Sequence, residues 1–154
     1  MLKINDKIPN FEILTDKGEF KVSNYLGKKI VVFFFPRADT SGCTAESIAF
    51  TNLQKKFEKL NCIVIGISKD NIKKQAKFRE KYNLTCELGA DFENNVCEQF
   101  GVWVEKSMYG RKYMGIQRAT FLSNEKGIIT NVWEKVKVPG HADEVLAAVE
   151  KMNM

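Results

Sequence analysis

Residues 36 to 46 read Pro36-Arg37-Ala38-Asp39-Thr40-Ser41-Gly42-Cys43-Thr44-Ala45-Glu46, and a cysteine so placed can act as a nucleophile. The apolar run before this stretch stops at Pro36, a short polar loop follows, and a helical pattern starts near Ser41. Cys43 then falls in a first helical turn above the carboxyl ends of buried strands, where open α/β sheets put their sites. Free N–H groups and the positive end of the helix dipole stabilise the thiolate, which is the nucleophilic form of cysteine. The apolar stripe of this helix, Ala49, Leu53, Phe57 and Leu60, sets two further expectations. Cys43 lies on the order of 100° from the centre of that stripe and so off the core face. Glu46 lies within roughly 40° of the centre, so a carboxylate turns inward and needs a partner. Arg118, in the apolar context Ile116-Gln117-Arg118-Ala119-Thr120-Phe121, is the candidate. Held there, it neutralises Glu46 and also faces the thiolate. An ordinary partly buried salt bridge accounts for the same spacing equally well.

Those residues need a sheet beneath them. Lys29 to Phe35 is a β-branched and aromatic run, apolar on both faces, which reads as the central strand of a covered sheet. Upstream, Phe11-Glu12-Ile13-Leu14 and Phe20-Lys21-Val22 flank the turn signal Asp16-Lys17-Gly18 and predict an opening hairpin. The helical segment Ser41 to Leu60 is followed by a second buried-type strand, Cys62 to Ser68, and a weaker helical pattern over Asn71 to Tyr82. A short strand near Thr85 to Leu88 comes next, then a short helix over Asn94 to Phe100 that Gly101 stops. Arg118 to Leu122 and Ile128 to Trp133, separated by Asn124-Glu125-Lys126-Gly127, predict another hairpin. After Pro139-Gly140, the spacing of Ala142, Val145, Leu146, Val149 and Met152 marks a final amphipathic helix. This order resembles an α/β, thioredoxin-like three-layer fold with an N-terminal β-hairpin extension.

Composition narrows the classes. The chain has 154 residues, read as a single domain over 1–154, and can bury roughly 68–70% of its unfolded surface without a disulfide or metal staple. Hydrophobic residues make up 44% and charged residues 28%, which excludes a disordered chain. The longest purely apolar run, Ile30 to Phe35, is far short of the roughly 18 residues a membrane span needs. Asp6 and Pro9 interrupt the stretch where a secretory leader would be unbroken, so a cytoplasmic protein is expected. Net charge is +5, from 24 basic and 19 acidic residues. The lysine groups 55-56-59 and 73-74-77 fall on exposed helix faces, and no dense arginine-bearing stripe invites nucleic acid. The cysteines stand at 43, 62, 86 and 97 with no C-x-x-C, and His141 is the only histidine, so no metal site or haem attachment is expected.

Pro36-x-x-x-Thr40-x-x-Cys43 matches the P-x-x-x-[TS]-x-x-C motif of the peroxiredoxins. Gly42-Cys43-Thr44 with Glu46, the run Val96-Cys97-Glu98-Gln99-Phe100-Gly101-Val102-Trp103, and the Arg118 strand all resemble the peroxiredoxin Q, or bacterioferritin comigratory protein, branch. The resemblance runs from the first hairpin to Gly140-His141-Ala142. It implies a thiol peroxidase that reduces hydrogen peroxide and small organic hydroperoxides with electrons from thioredoxin or another small thiol. Cys43 attacks one peroxide oxygen and becomes a sulfenic acid. Arg118 stabilises the thiolate and the charge on the leaving oxygen. Thr40 holds the peroxide, Pro36 covers the pocket, and Glu46 orients Arg118. No metal, flavin or haem is implied, and a monomer is expected.

The resemblance fails on recycling. The branch commonly carries a resolving cysteine five residues after the reactive one, and Ile48 stands there; a second arrangement would place it at Arg79. Cys62 opens a buried-type strand and reads as core. Cys97 and Cys86 are the two intramolecular candidates, Cys97 reading mainly as structural and Cys86 as the least buried. The default is a one-cysteine cycle in which an external thiol attacks the sulfenate. His141 reads as a helix-start or surface residue, and Trp103 and Trp133 as packing residues. Two rival readings share the fold. A thiol–disulfide oxidoreductase would want a second cysteine where Glu46 stands, and a non-enzymatic holdase or redox reporter would have lost turnover.

Overall fold

The apolar runs become strands and the 3.6-period segments become helices in the computed structural model, which describes residues 1–152. In chain order the elements are β1 (Glu12–Thr15), β2 (Gly18–Lys21), β3 (Lys29–Phe34), α1 (Ser41–Asn52), α2 (Gln54–Lys59), β4 (Cys62–Ser68) and α3 (Ile72–Tyr82). Then follow β5 (Glu87–Ala90), α4 (Val96–Phe100), β6 (Trp103–Met108), β7 (Arg111–Ile116), β8 (Ala119–Ser123), β9 (Ile129–Trp133) and α5 (His141–Lys151). Seven strands form one sheet in the order β2-β1-β5-β4-β3-β8-β9, and β6 and β7 form a separate two-stranded ribbon. β3, β4 and β5 run parallel at the centre, while β8 lies antiparallel to β3 on its other side. The opening hairpin joins the sheet through β1, which pairs antiparallel with β5.

Alternation along β3 divides the core into two layers. Ile30, Val32 and Phe34 join a cluster with Phe11, Val96, Phe100 and Val102 on one face. Val31, Phe33 and Phe35 join Phe50, Phe57, Phe78, Val145 and Val149 on the other. Helices α1, α2, α3 and α5 cover the second face, and α4 with the base of the ribbon covers the first. The three-layer, thioredoxin-like architecture is therefore observed, with its N-terminal hairpin at one edge. Gly66 in β4 is a close-approach position. A Cβ there would stand 2.4 Å from Phe33 Cζ, so only glycine lets that ring lie flat and stack on Phe50.

Three elements differ from expectation. The helix predicted over Ser41 to Leu60 breaks at Leu53 (φ −101°, ψ 3°) into α1 and α2. The break shifts the phase of the apolar stripe, so the buried face of α1 runs through Cys43, Glu46, Ser47 and Phe50. Cys43 is thus on the core face, not off it as the stripe of α2 predicts. The third parallel strand starts two residues later than expected, at Glu87. The β6–β7 ribbon was not expected. It turns on Tyr109 and Gly110, both at positive φ, which is the backbone a two-residue hairpin turn demands. Most of its residues are exposed or half-buried, so it lacks the strong alternation of a strand that packs on a core.

Candidate active site

The register of the sheet explains why residues 75 positions apart meet. Phe34, the last residue of β3, pairs with Ala119, the first of β8. Arg118 therefore stands at the end of β3, beside the loop that carries the chain from Pro36 to Thr40 and into α1. That loop is tied down from two sides. Asp70 accepts from the Ala38 N–H at 2.7 Å and from the Ser68 hydroxyl at 2.6 Å. Asp39, at positive φ, accepts from Tyr82 Oη at 2.5 Å and pairs with Lys81 at 3.0 Å. Buried Gln75 extends the first network, donating to Ser68 Oγ and to the Gly89 carbonyl. The Thr40 hydroxyl donates to the Arg37 carbonyl and makes no side-chain cap to α1.

Arg118 bridges the two groups singled out in the sequence. Its Nη2 donates to Cys43 Sγ at 3.3 Å and its Nη1 donates to Glu46 Oε1 at 2.7 Å. Gly42 makes the approach fit, because a Cβ at that position would stand 3.1 Å from Arg118 Nη2. Cys43 is fully buried at 0% exposure. Glu46 is buried too, and among the described residues its Oε2 has no hydrogen-bond partner. Burial pushes the Glu46 carboxyl up to about 7, against the opposing pull of the Arg118 charge. A helix-borne thiol, a guanidinium bonded to it and a carboxylate holding that guanidinium are thus assembled within one chain.

A cavity of about 480 Å³ opens beside this group, lined by Pro36, Thr40, Lys106 and Ile116 among others. Cys43 and Arg118 lie off its lining. Lys106 comes from the ribbon that the sequence reading missed. Its ammonium is held below the usual lysine range by burial first and by the Arg118 charge second, while Cys43 pulls the other way. A two-residue turn with glycine at its second position, between stretches of Val, Tyr and Trp, was the available signal for that ribbon.

The structure does not bring the other cysteines to Cys43, and it corrects the reading of Cys86 as the least buried. Cys86 is at 0% exposure and accepts from Thr51 Oγ1 at 3.8 Å. Thr51 follows Cys43 by eight residues on α1, about 12 Å along the axis at the α-helical rise. Cys97 packs in the cluster on the opposite face of the sheet from Cys43. Cys62 opens β4 opposite Lys29, at the far end of β3 from the site. Burial pushes the Cys86 thiol up to about 11 and the Cys62 thiol up to about 12, and Cys97 rises as well. At Arg79 the side chain bridges to Asp16 at 2.5 Å and donates to the Leu84 carbonyl, pinning the first hairpin to the end of α3. His141 begins α5 as expected but is buried rather than at the surface, with Nε2 2.7 Å from Thr120 Oγ1. Among the described residues no group of three His, Cys, Asp or Glu side chains could hold a metal, and no helix is long and apolar enough to cross a membrane.

A thioredoxin-like sheet with a cysteine–arginine–glutamate group at the end of its central strand defines a thiol-based oxidoreductase. The AhpC/TSA family profile matches residues 4–132. The chain is 40% identical to peroxiredoxin Bcp of Bacillus subtilis over 153 residues, covering 99% of this chain and 98% of that one. Peroxiredoxin Q of Xylella fastidiosa, solved as a cysteine-to-serine mutant, superposes with a TM-score of 0.94 at 32% identity over 100% and 99% of the two chains. The bacterioferritin comigratory protein of Xanthomonas campestris, solved in work on its alkyl peroxide reduction, gives 0.91 at 32% identity over 99% and 100%. The chain belongs to the AhpC/TSA family and is a peroxiredoxin of the peroxiredoxin Q/Bcp branch, a thiol-dependent peroxidase.

Proposed function

We propose that Cys43 is the thiol that reduces hydrogen peroxide and organic hydroperoxides, alkyl hydroperoxides included. The observation that carries this is the single guanidinium bonded to both Cys43 Sγ and Glu46 Oε1 at the start of α1. The Cys43 thiolate attacks one peroxide oxygen; the S–O bond forms as the O–O bond breaks, giving sulfenic acid and an alkoxide or hydroxide that takes up a proton. Arg118 spreads the negative charge as it passes from sulfur to the leaving oxygen. Thr40 and the first-turn N–H groups of α1, which have no side-chain cap, hold the peroxide. Pro36, with no N–H of its own, walls the pocket. Glu46 acts through Arg118, as a positioning residue. Because Cys43 is buried, peroxide reaches it through local opening of this turn.

The cycle uses one cysteine. An external thiol attacks the sulfenate, water leaves, and a second thiol releases Cys43 from the mixed disulfide. Thioredoxin or another small thiol supplies those electrons. The four thiols, all unpaired, support a cytoplasmic setting, and a site completed within one chain supports a single-domain monomer. Intact-mass analysis with peptide mapping, after one equivalent of peroxide, tests the reading. Added oxygen confined to Cys43 within seconds is the expected result. A Cys43 that stays a free thiol in the folded protein would leave a binding or holdase role on the same fold.

A further inference from the structure

The peroxide machinery leaves three cations at its mouth without a partner. Arg37, Lys74 and Lys106 line the same cavity as Pro36 and Thr40, and among the described residues none of their side chains makes a hydrogen bond or ion pair. The other charges in the lining are already engaged. Lys69 pairs with Asp91 and Glu98, and Asp70, the single carboxylate of the lining, has its Oδ2 bonded by the Ala38 N–H and the Ser68 hydroxyl, so the lining stays net cationic. Hydrogen peroxide and a neutral alkyl hydroperoxide carry no charge that would call for such a set.

Lys106 is also a seated residue rather than a freely waving one. A Cβ on Gly115, in the paired strand, would stand 3.1 Å from Lys106 Cδ and 3.4 Å from its Cε. The lysine stem therefore lies in the space a side chain would fill on β7. Its half-buried ammonium sits within the field of Arg118, which opposes its charge, and of Cys43, which favours it. Trp103 and Tyr113 add an apolar wall to the cavity. An amphipathic anion fits that combination of cations and wall.

We infer that Arg37, Lys74 and Lys106 form a subsite for the carboxylate of an organic ligand in the cavity they share with Pro36 and Thr40. The inference rests on the peroxidase reading of Cys43 and extends it to what the substrate or reductant carries at its far end. Two ligands share the required chemistry: a hydroperoxide bearing a carboxylate, and a thiol reductant bearing one.

Matched pairs that differ only in charge separate them. Stopped-flow rates of Cys43 oxidation are compared for a straight-chain hydroperoxy acid and its methyl ester. Rates of sulfenate resolution are compared for 3-mercaptopropionate and its methyl ester. In Lys106→Met the acid-to-ester ratio falls roughly two- to fivefold in one or both pairs, as loss of one surface ion pair predicts, and Lys106→Arg restores it. A fall in the first pair alone assigns the subsite to the peroxide, and in the second alone to the reductant. Unchanged ratios in both pairs overturn the inference. Gly115→Ala, which displaces the Lys106 stem without removing charge, lowers the same ratio. Hexanoate binding to the reduced protein, followed by the Trp103 indole resonance, needs no chemistry at Cys43. Loss of that binding in Lys106→Met supports the subsite even if peroxide fails to oxidise Cys43, and equal binding in both proteins counts against it.

Discussion

Arg118 bonds two acidic groups at once, and the consequences differ for each. Toward Cys43 it is one donor aimed at developing negative charge, and removing one such donor typically costs ~10²–10³ in rate. Arg118→Met is therefore expected to slow Cys43 oxidation on the order of 10²-fold or more, read by stopped-flow with hydrogen peroxide. A loss of less than about threefold would remove Arg118 from the reaction and leave it a structural ion pair. Toward Glu46 the arginine offsets burial only in part, since the carboxyl is pushed up from 4.5 to about 7. The sign follows from linkage. Below about pH 4.5 the carboxyl is protonated in both folded and unfolded chains, so its contribution to stability is full there. As pH rises from 4.5 through 7 the unfolded chain ionises first and that contribution is lost. Urea unfolding between pH 4.5 and 7.5 should show a loss of stability in the native protein that is smaller in Glu46→Gln. An infrared band of the protonated carboxyl that disappears across pH 7, and is missing in Glu46→Gln, would assign the titration to this residue. The inward turn of Glu46 and its need for Arg118 were legible in the sequence, because a buried carboxylate without a partner is costly. The orphan Oε2 was not, since it depends on which neighbours stop short of it.

Among the elements, the pairing of β3 with β8 and the first turn of α1 together define the site, and Gly42 lies between them. Its substitution separates catalysis from folding. In Gly42→Ala the new Cβ would stand 3.1 Å from Arg118 Nη2, so the guanidinium that bonds Cys43 has to give by a few tenths of an ångström. Alanine is also the better helix former, by up to about 1 kcal/mol, and Gly42 sits in a helix without positive φ. The expected outcome is a melting temperature held or raised, together with slower Cys43 oxidation. Equal rates in the two proteins would show that the guanidinium tolerates displacement. The opposite pattern belongs to Gly66→Ala, which should lose about 1–3 kcal/mol because the Phe33 ring has nowhere to go. The strands and helices of the main sheet were legible because each carries a strong run or period. Burial of Cys43 was missed because the stripe taken from Phe57 and Leu60 belongs to α2, and the break at Leu53 rotates it relative to α1. The β6–β7 ribbon was missed because its residues pack against little, and pattern reading detects packing. That omission hid Lys106.

At the scale of the whole molecule, the sheet holds the four thiols apart in the folded chain. Cys43 and Cys97 lie in core clusters on opposite faces, Cys62 sits at the far end of the central strands, and Cys86 is held by Thr51 two turns down α1. A disulfide needs Cα atoms within roughly 4.4–6.8 Å, and about 12 Å of helical rise separates Cys43 from the Thr51 that contacts Cys86. The three remote thiols are buried, and burial disfavours the thiolate each would need in order to attack. A sulfenate formed at Cys43 then has no intramolecular thiol waiting, and its fate is set by competition between external thiol and further peroxide. With reductant withheld and peroxide in tenfold excess, Cys43 should pass to sulfinic acid, while Cys62, Cys86 and Cys97 still alkylate as free thiols after unfolding. Adding a small dithiol before the second equivalent of peroxide should protect Cys43, because its first thiol attacks the sulfenate with loss of water and its second opens the mixed disulfide, returning Cys43 to the thiol. A Cys43–Cys86 or Cys43–Cys97 disulfide recovered from the native protein would overturn the one-cysteine cycle. It would also require α1 or the Cys86 segment to unwind by more than its first turn, which faster amide exchange across Thr44 to Thr51 after oxidation would reveal.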